Sequence, residues 1–114
     1  MDNFDAVLLQ VIDETIGYCL GEVNSQIIYR YLEEKGCPKH EIPRKLDVFA
    51  ETLEDLVGTG RGMILGGALI LEKEIVEALC KKLGVEYSEV VGSGYFPEQC
   101  KKLKEIHHRK PKPR

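Results

Sequence analysis

The chain has 114 residues, 43% of them apolar, with 16 Lys+Arg against 19 Asp+Glu, which describes one compact globular domain able to bury about two-thirds of its unfolded surface without disulfides or a structural metal. Multi-domain chemistry is excluded, and so is a membrane span: the longest apolar run, residues 63–71, falls far short of the ~18 residues a span requires. The acidic start Met1-Asp2-Asn3-Phe4-Asp5 lacks the basic region of a secretory signal, so the expectation is a cytoplasmic protein whose four cysteines, Cys19, Cys37, Cys80 and Cys100, are reduced thiols.

Phe4, Val7, Leu8, Val11, Ile12, Thr15, Ile16 and Cys19 recur at helical spacing with Asp5, Gln10, Asp13 and Glu14 opposite, which predicts a first amphipathic helix of about four to five turns. Gly17 weakens its last turn by about 1 kcal/mol relative to Ala, and Gly21 is placed to end it in a left-handed cap. A second helix, capped by Asn24 or Ser25, is predicted to bury Ile27, Ile28, Tyr31 and Leu32 and to expose Arg30, Glu33 and Glu34, until Gly36 and Pro38 stop it. The connection runs over about residues 36–45. A third helix starting near Leu46 or Asp47 carries Leu46, Phe49, Ala50, Leu53, Leu56 and Val57 on one side and Glu51, Glu54 and Asp55 on the other. Gly58-Thr59-Gly60 breaks it.

The fourth helix is expected from about residue 61 to residue 83, with Leu71, Ile75, Val76, Leu79 and Leu83 inside and Glu72, Lys73, Glu74, Lys81 and Lys82 in water. Its first half is apolar all the way round, so it must be covered on every side, as the central element of a bundle or in a subunit interface. Gly62, Met63, Gly66, Gly67 and Ile70 are therefore the candidate packing or interface residues, and a homodimer is the expected assembly. Gly84 suits a helix C-cap, residues 85–91 fit either a short helix or an extended piece, and Gly92-Ser93-Gly94 reads as a turn. Pro97 sits in the first turn of a last short helix that places Phe96, Cys100, Leu103 and His107 on one face. From Arg109 onward Arg-Lys-Pro-Lys-Pro-Arg lacks anything to pack. The expected fold is all-α: a compact bundle of four main helices over residues 1–96, then a short C-terminal helix and a basic disordered tail over residues 97–114.

Within this order, Ile27-Ile28-Tyr29-Arg30-Tyr31-Leu32-Glu33-Glu34-Lys35, the loop His40-Glu41-Ile42-Pro43, Phe49-Ala50-Glu51-Thr52-Leu53-Glu54-Asp55-Leu56-Val57-Gly58 and the closing Ile75-Val76-Glu77-Ala78-Leu79 ahead of Gly84 form a recognisable series. On those phrases the run of residues 20–83 resembles a small archaeal helical family, the fifth Nitrosopumilus output domain. The resemblance implies an all-helical domain of unknown biochemical activity, named for a suspected place at the output end of signalling proteins.

Candidate chemistry is sparse. Gly58-Thr59-Gly60-Arg61-Gly62 ahead of a helix has the look of a phosphate cradle, but no strand precedes it and no Lys-Ser/Thr follows, so a helix-to-helix turn is the better reading. Cys37 with His40, and Cys100 with His107 or His108, hold the ligand types of a zinc site without a Cys-x-x-Cys or any compact spacing. The alternative places Cys19 and Cys80 in the core and the other two thiols near the surface. The Cys37/His40 pair lacks an orienting third group for nucleophilic catalysis, and Asp13-Glu14, Glu33-Glu34 and Glu54-Asp55 read as solvated helix faces. No catalytic, cofactor or metal residue is assigned.

The sharpest positive feature is a charge asymmetry. Lys101, Lys102, Lys104, Arg109, Lys110, Lys112 and Arg114 face a single acid, Glu105, so residues 100–114 carry +6 and residues 1–99 carry −9. Such a tail can neutralise phosphates, but it has no aromatic residue for base stacking and the acidic body repels the same duplex. It can equally dock on an acidic protein, including the body of a second copy. The expected function is a non-enzymatic regulatory or protein-interaction module. A nucleic-acid-associated protein using the tail is the first alternative, and a small-ligand or metal binder the second.

Overall fold

The computed structural model describes residues 3–57, 67–92 and 94–109, the side chains of 57, 67–69 and 109 excepted. The chain is all-helical. Five α-helices, α1 (Asn3–Leu20), α2 (Glu22–Glu34), α3 (Leu46–Val57), α4 (Gly67–Leu83) and α5 (Phe96–Arg109), are joined by a 3₁₀ segment, Lys39–Arg44, and a single 3₁₀ turn, Tyr87–Glu89. Among the described residues no strand occurs and no helix is long and apolar enough to cross a membrane.

The centre is α4, which packs against α1, α3 and α5, while α2 lies between α1 and α3. The core gathers Phe4, Leu8, Ile12 and Ile16 of α1, Ile28 and Leu32 of α2, Phe49 and Leu53 of α3, Ile75, Val76 and Leu79 of α4, and Phe96, Leu103 and Ile106 of α5. Phe49 and Phe96 meet at 5.8 Å between ring centroids, tilted by 44°, and this contact fastens the start of α5 to α3. At 14 residues α5 is longer than α2 or α3. Its buried stripe runs Phe96, Cys100, Leu103 and Ile106, with His107 only half-buried beside it.

Three corners shape this packing. α1 and α2 are separated by Gly21 alone, whose φ of 87° and ψ of 166° lie in a region essentially reserved for glycine. Gly21 donates its N–H to Gly17 O at 3.0 Å and accepts from Ser25 N and Ser25 Oγ at 3.0 and 2.8 Å. One residue thus closes one helix and opens the next. Asn24 and Ser25, expected as caps, lie inside α2, and Asn24 Nδ2 donates back to Leu20 O at 2.9 Å.

The other two corners are alike. After α2, Gly36 (φ 82°) donates to Glu33 O at 3.0 Å and Cys37 donates to Leu32 O at 2.8 Å. After α4, Val85 donates to Cys80 O at 2.9 Å past Gly84 (φ 71°). In this Schellman pattern the residue after the glycine turns inward onto the last turn of the helix. Cys37 is accordingly buried beside Leu32 instead of lying near the surface. Cys100 is buried too, on the α5 stripe, whereas Cys19 is exposed on the last turn of α1, where Tyr18 is 92% exposed and the core stops at Ile16. All four thiols are free.

Two further expectations change. Ile27 is 49% exposed, because the covered side of α2 runs along Ser25, Ile28 and Leu32 and Ile27 falls off it. Glu72, expected in water, is buried. Residues 85–91 form the short turn 87–89, closed by a reciprocal pair in which the Glu86 and Glu89 side chains each accept from the other's end.

The two glycines at the α1–α2 corner should respond to alanine with opposite signs. A methyl group added at either position would meet no other group within 4 Å, so only the backbone decides. Gly21→Ala is expected to lose about 1–3 kcal/mol and Gly17→Ala to gain about 0.5–1 kcal/mol. Urea unfolding of both variants checks this, and equal shifts would refute it.

Candidate interaction face

The cationic residues singled out by the sequence are unequally placed. Lys101 is exposed and Lys102 half-buried on α5. Lys104 is drawn onto α1, with Nζ 3.3 Å from Asp5 Oδ1 and 6.0 Å from the centroid of the Phe4 ring. Arg109 is the last residue of α5, and Lys110, Lys112 and Arg114 lie outside the described residues. Of the interface candidates, Gly62, Met63 and Gly66 also lie outside them, Gly67 opens α4, and Ile70 is 55% exposed one turn later.

The thiol and imidazole candidates do not converge. Cys37 is buried, whereas the His40 side chain is exposed and 3.7 Å from Glu41. Cys100 is sealed in the core while His107 stacks at 6.1 Å against Phe4. Among the described residues no group of three or more His, Cys, Asp or Glu is placed to hold a metal ion. Burial raises the pKa of Cys37, Cys80 and Cys100, which keeps these thiols protonated and poor nucleophiles.

An open cleft of about 390 Å³ lies between α1, α2 and the 3₁₀ segment, lined by Asp13, Gly17, Glu22, Ser25, Gln26, Tyr29 and Lys39. Three of its polar side chains are committed to one another. Asp13 Oδ1 accepts from Tyr29 Oη at 2.9 Å and pairs with Lys39 Nζ at 3.0 Å, while the same ammonium lies 4.6 Å from the Tyr29 ring centroid. The hydrogen bond from Lys39 holds Asp13 below its ordinary pKa, and burial followed by the bond to Asp13 raises the Tyr29 phenol. This cleft is a clasp between elements.

Unpartnered chemistry lies on α3 and α4. Two buried side-chain polar atoms have no hydrogen-bond partner among the described residues: Glu72 Oε2 on α4 and Thr52 Oγ1 on the neighbouring α3. Glu72 is 5% exposed. Its position in line with Val76 and Leu79, four and seven residues on, places it on the wide arc that α1, α3 and α5 cover together. From α3 Glu54 acts on it, and its own charge acts on Cys100 of α5 and on Tyr95 just before α5. Burial first, then repulsion by Glu54, pushes the Glu72 carboxyl up to about 7. None of the α1 groups Asp5, Asp13, Glu14, Tyr18 and Cys19 shifts it.

Tyr95 marks the mouth of this arrangement. It is 55% exposed, and after desolvation its pKa is raised by Asp47, Glu98, Glu54 and Glu72. Asp47 and Glu54 share one face of α3 two turns apart, about 10 Å. None of the four acids has an ion-pair partner among the described residues. Three cations are engaged elsewhere, Lys45 with Glu41 at 2.9 Å, Lys35 with Asp55 at 3.2 Å and Lys73 with Glu77 at 3.9 Å, while Lys101 and Lys102 follow Glu98 by one turn of α5. Among the described residues the face therefore presents an aromatic ring amid acids without ion pairs, beside a buried carboxyl with an unpartnered oxygen.

Sequence reasoning assigned these residues no role. Asp47, Glu54 and Glu98 look like any solvated helix acids, and only Glu72, lying at i−4 to Val76 and i−7 to Leu79, carries a signal that an acid interrupts an apolar stripe. No protein-family profile, curated protein sequence or solved structure matches the chain.

The raised carboxyl has a definite sign for stability. In the unfolded chain Glu72 ionises in the ordinary carboxylate range, while the folded protein keeps its proton up to about pH 7. Between those values the native state binds the extra proton, so stability falls as pH rises, and the loss is complete above about 7. Melting temperatures from about pH 5 to about pH 8 are expected to decline in the native chain and to decline less in Glu72→Gln. An identical slope in the two proteins would remove Glu72 from the explanation.

Proposed function

We propose that this chain is a non-enzymatic interaction domain that takes up a cationic stretch of polypeptide on the face formed by Asp47 and Glu54 of α3, Glu72 of α4, and Tyr95 and Glu98 at the start of α5. The observation that carries the reading is the Glu72 carboxyl, buried with an unpartnered oxygen near acids that form no ion pair among the described residues. A buried polar atom without a partner is disfavoured by about 1–3 kcal/mol, and the field of an ammonium or guanidinium docked on the face favours ionisation of that carboxyl. Tyr95 adds an exposed ring on which a cation can rest. An interaction domain of this kind fits a role at the output end of a signalling chain, which the resemblance to the fifth Nitrosopumilus output domain implies.

Catalysis is less well supported, since the three buried thiols are held protonated and the cleft beside Tyr29 is internally paired. The nucleic-acid alternative rests on the tail cations and makes no use of the acidic face.

Fluorescence anisotropy of a labelled peptide with lysines at alternate positions separates these readings. Binding should weaken with salt and should fall about threefold to tenfold in Asp47→Asn/Glu54→Gln. It should also tighten as pH rises toward 8 in the native chain but not in Glu72→Gln, because a docked cation draws the proton off Glu72. No binding at low salt, or binding indifferent to the face variants, would overturn the reading.

A further inference from the structure

We draw no further inference here: the strongest candidate, the open cleft between α1, α2 and the 3₁₀ segment, has its Asp13, Tyr29 and Lys39 side chains bound to one another and its Glu22 and Gln26 exposed to water, and nothing in the structure shows what occupies it.

Discussion

The packing of α4 against three other helices is the constraint on which the rest of the molecule depends. A helix covered on one side buries a narrow stripe and can keep its acids in water, but one covered by α1, α3 and α5 buries a wide arc. Leu71, Ile75, Val76 and Leu79 fill that arc and Glu72 is caught within it. The hydrophobic gain of the surrounding side chains exceeds the penalty of one acid, which answers by retaining its proton. The position of a single carboxyl near neutral titration is thus a consequence of helix packing rather than of any local motif.

The corners determine which small residues share the interior. Glycine in the left-handed conformation ends α2 and α4 in the same hydrogen-bonding pattern, and each time the following residue, Cys37 or Val85, is turned inward onto the final turn. The thiols of Cys37, Cys80 and Cys100 are in this sense small hydrophobic side chains, and their raised pKa values reflect the same dry surroundings. The cleft beside Tyr29 is polar, and two of its charges neutralise each other: Lys39 crosses from the 3₁₀ segment to satisfy Asp13 and rests on the Tyr29 ring.

Short ion pairs join Lys35 with Asp55, Lys39 with Asp13 and Lys45 with Glu41. Around Tyr95 four acids from three elements act on a single phenol. Lys101, Lys102 and Lys104 follow Glu98 within two turns of α5, and Arg109 closes the helix. Proton binding and ionic strength are in the proposed reading coupled through one face.

Much of the fold was legible in the sequence because it is local. The apolar spacing of Phe4, Leu8, Ile12 and Ile16, the start of α3 at Leu46, the glycine stops at 21, 36 and 84 and the Phe96, Cys100, Leu103 stripe each follow from helical periodicity and from the few backbone angles that only glycine adopts readily. The segregation of charge between residues 1–99 and 100–114 is likewise a property of the linear chain. What lay beyond it depends on which helix covers which. Ile27 and Glu72 each sit beside an apolar stripe, and their patterns alone do not say that the covered side of α2 runs along Ser25, Ile28 and Leu32 while that of α4 widens to Glu72, so one isoleucine is exposed and one glutamate buried against expectation. The assembly of Asp47, Glu54, Glu72, Tyr95 and Glu98 into one face is a long-range event for the same reason. Periodicity determines the face a residue occupies on its own helix, but only tertiary packing decides what that face meets.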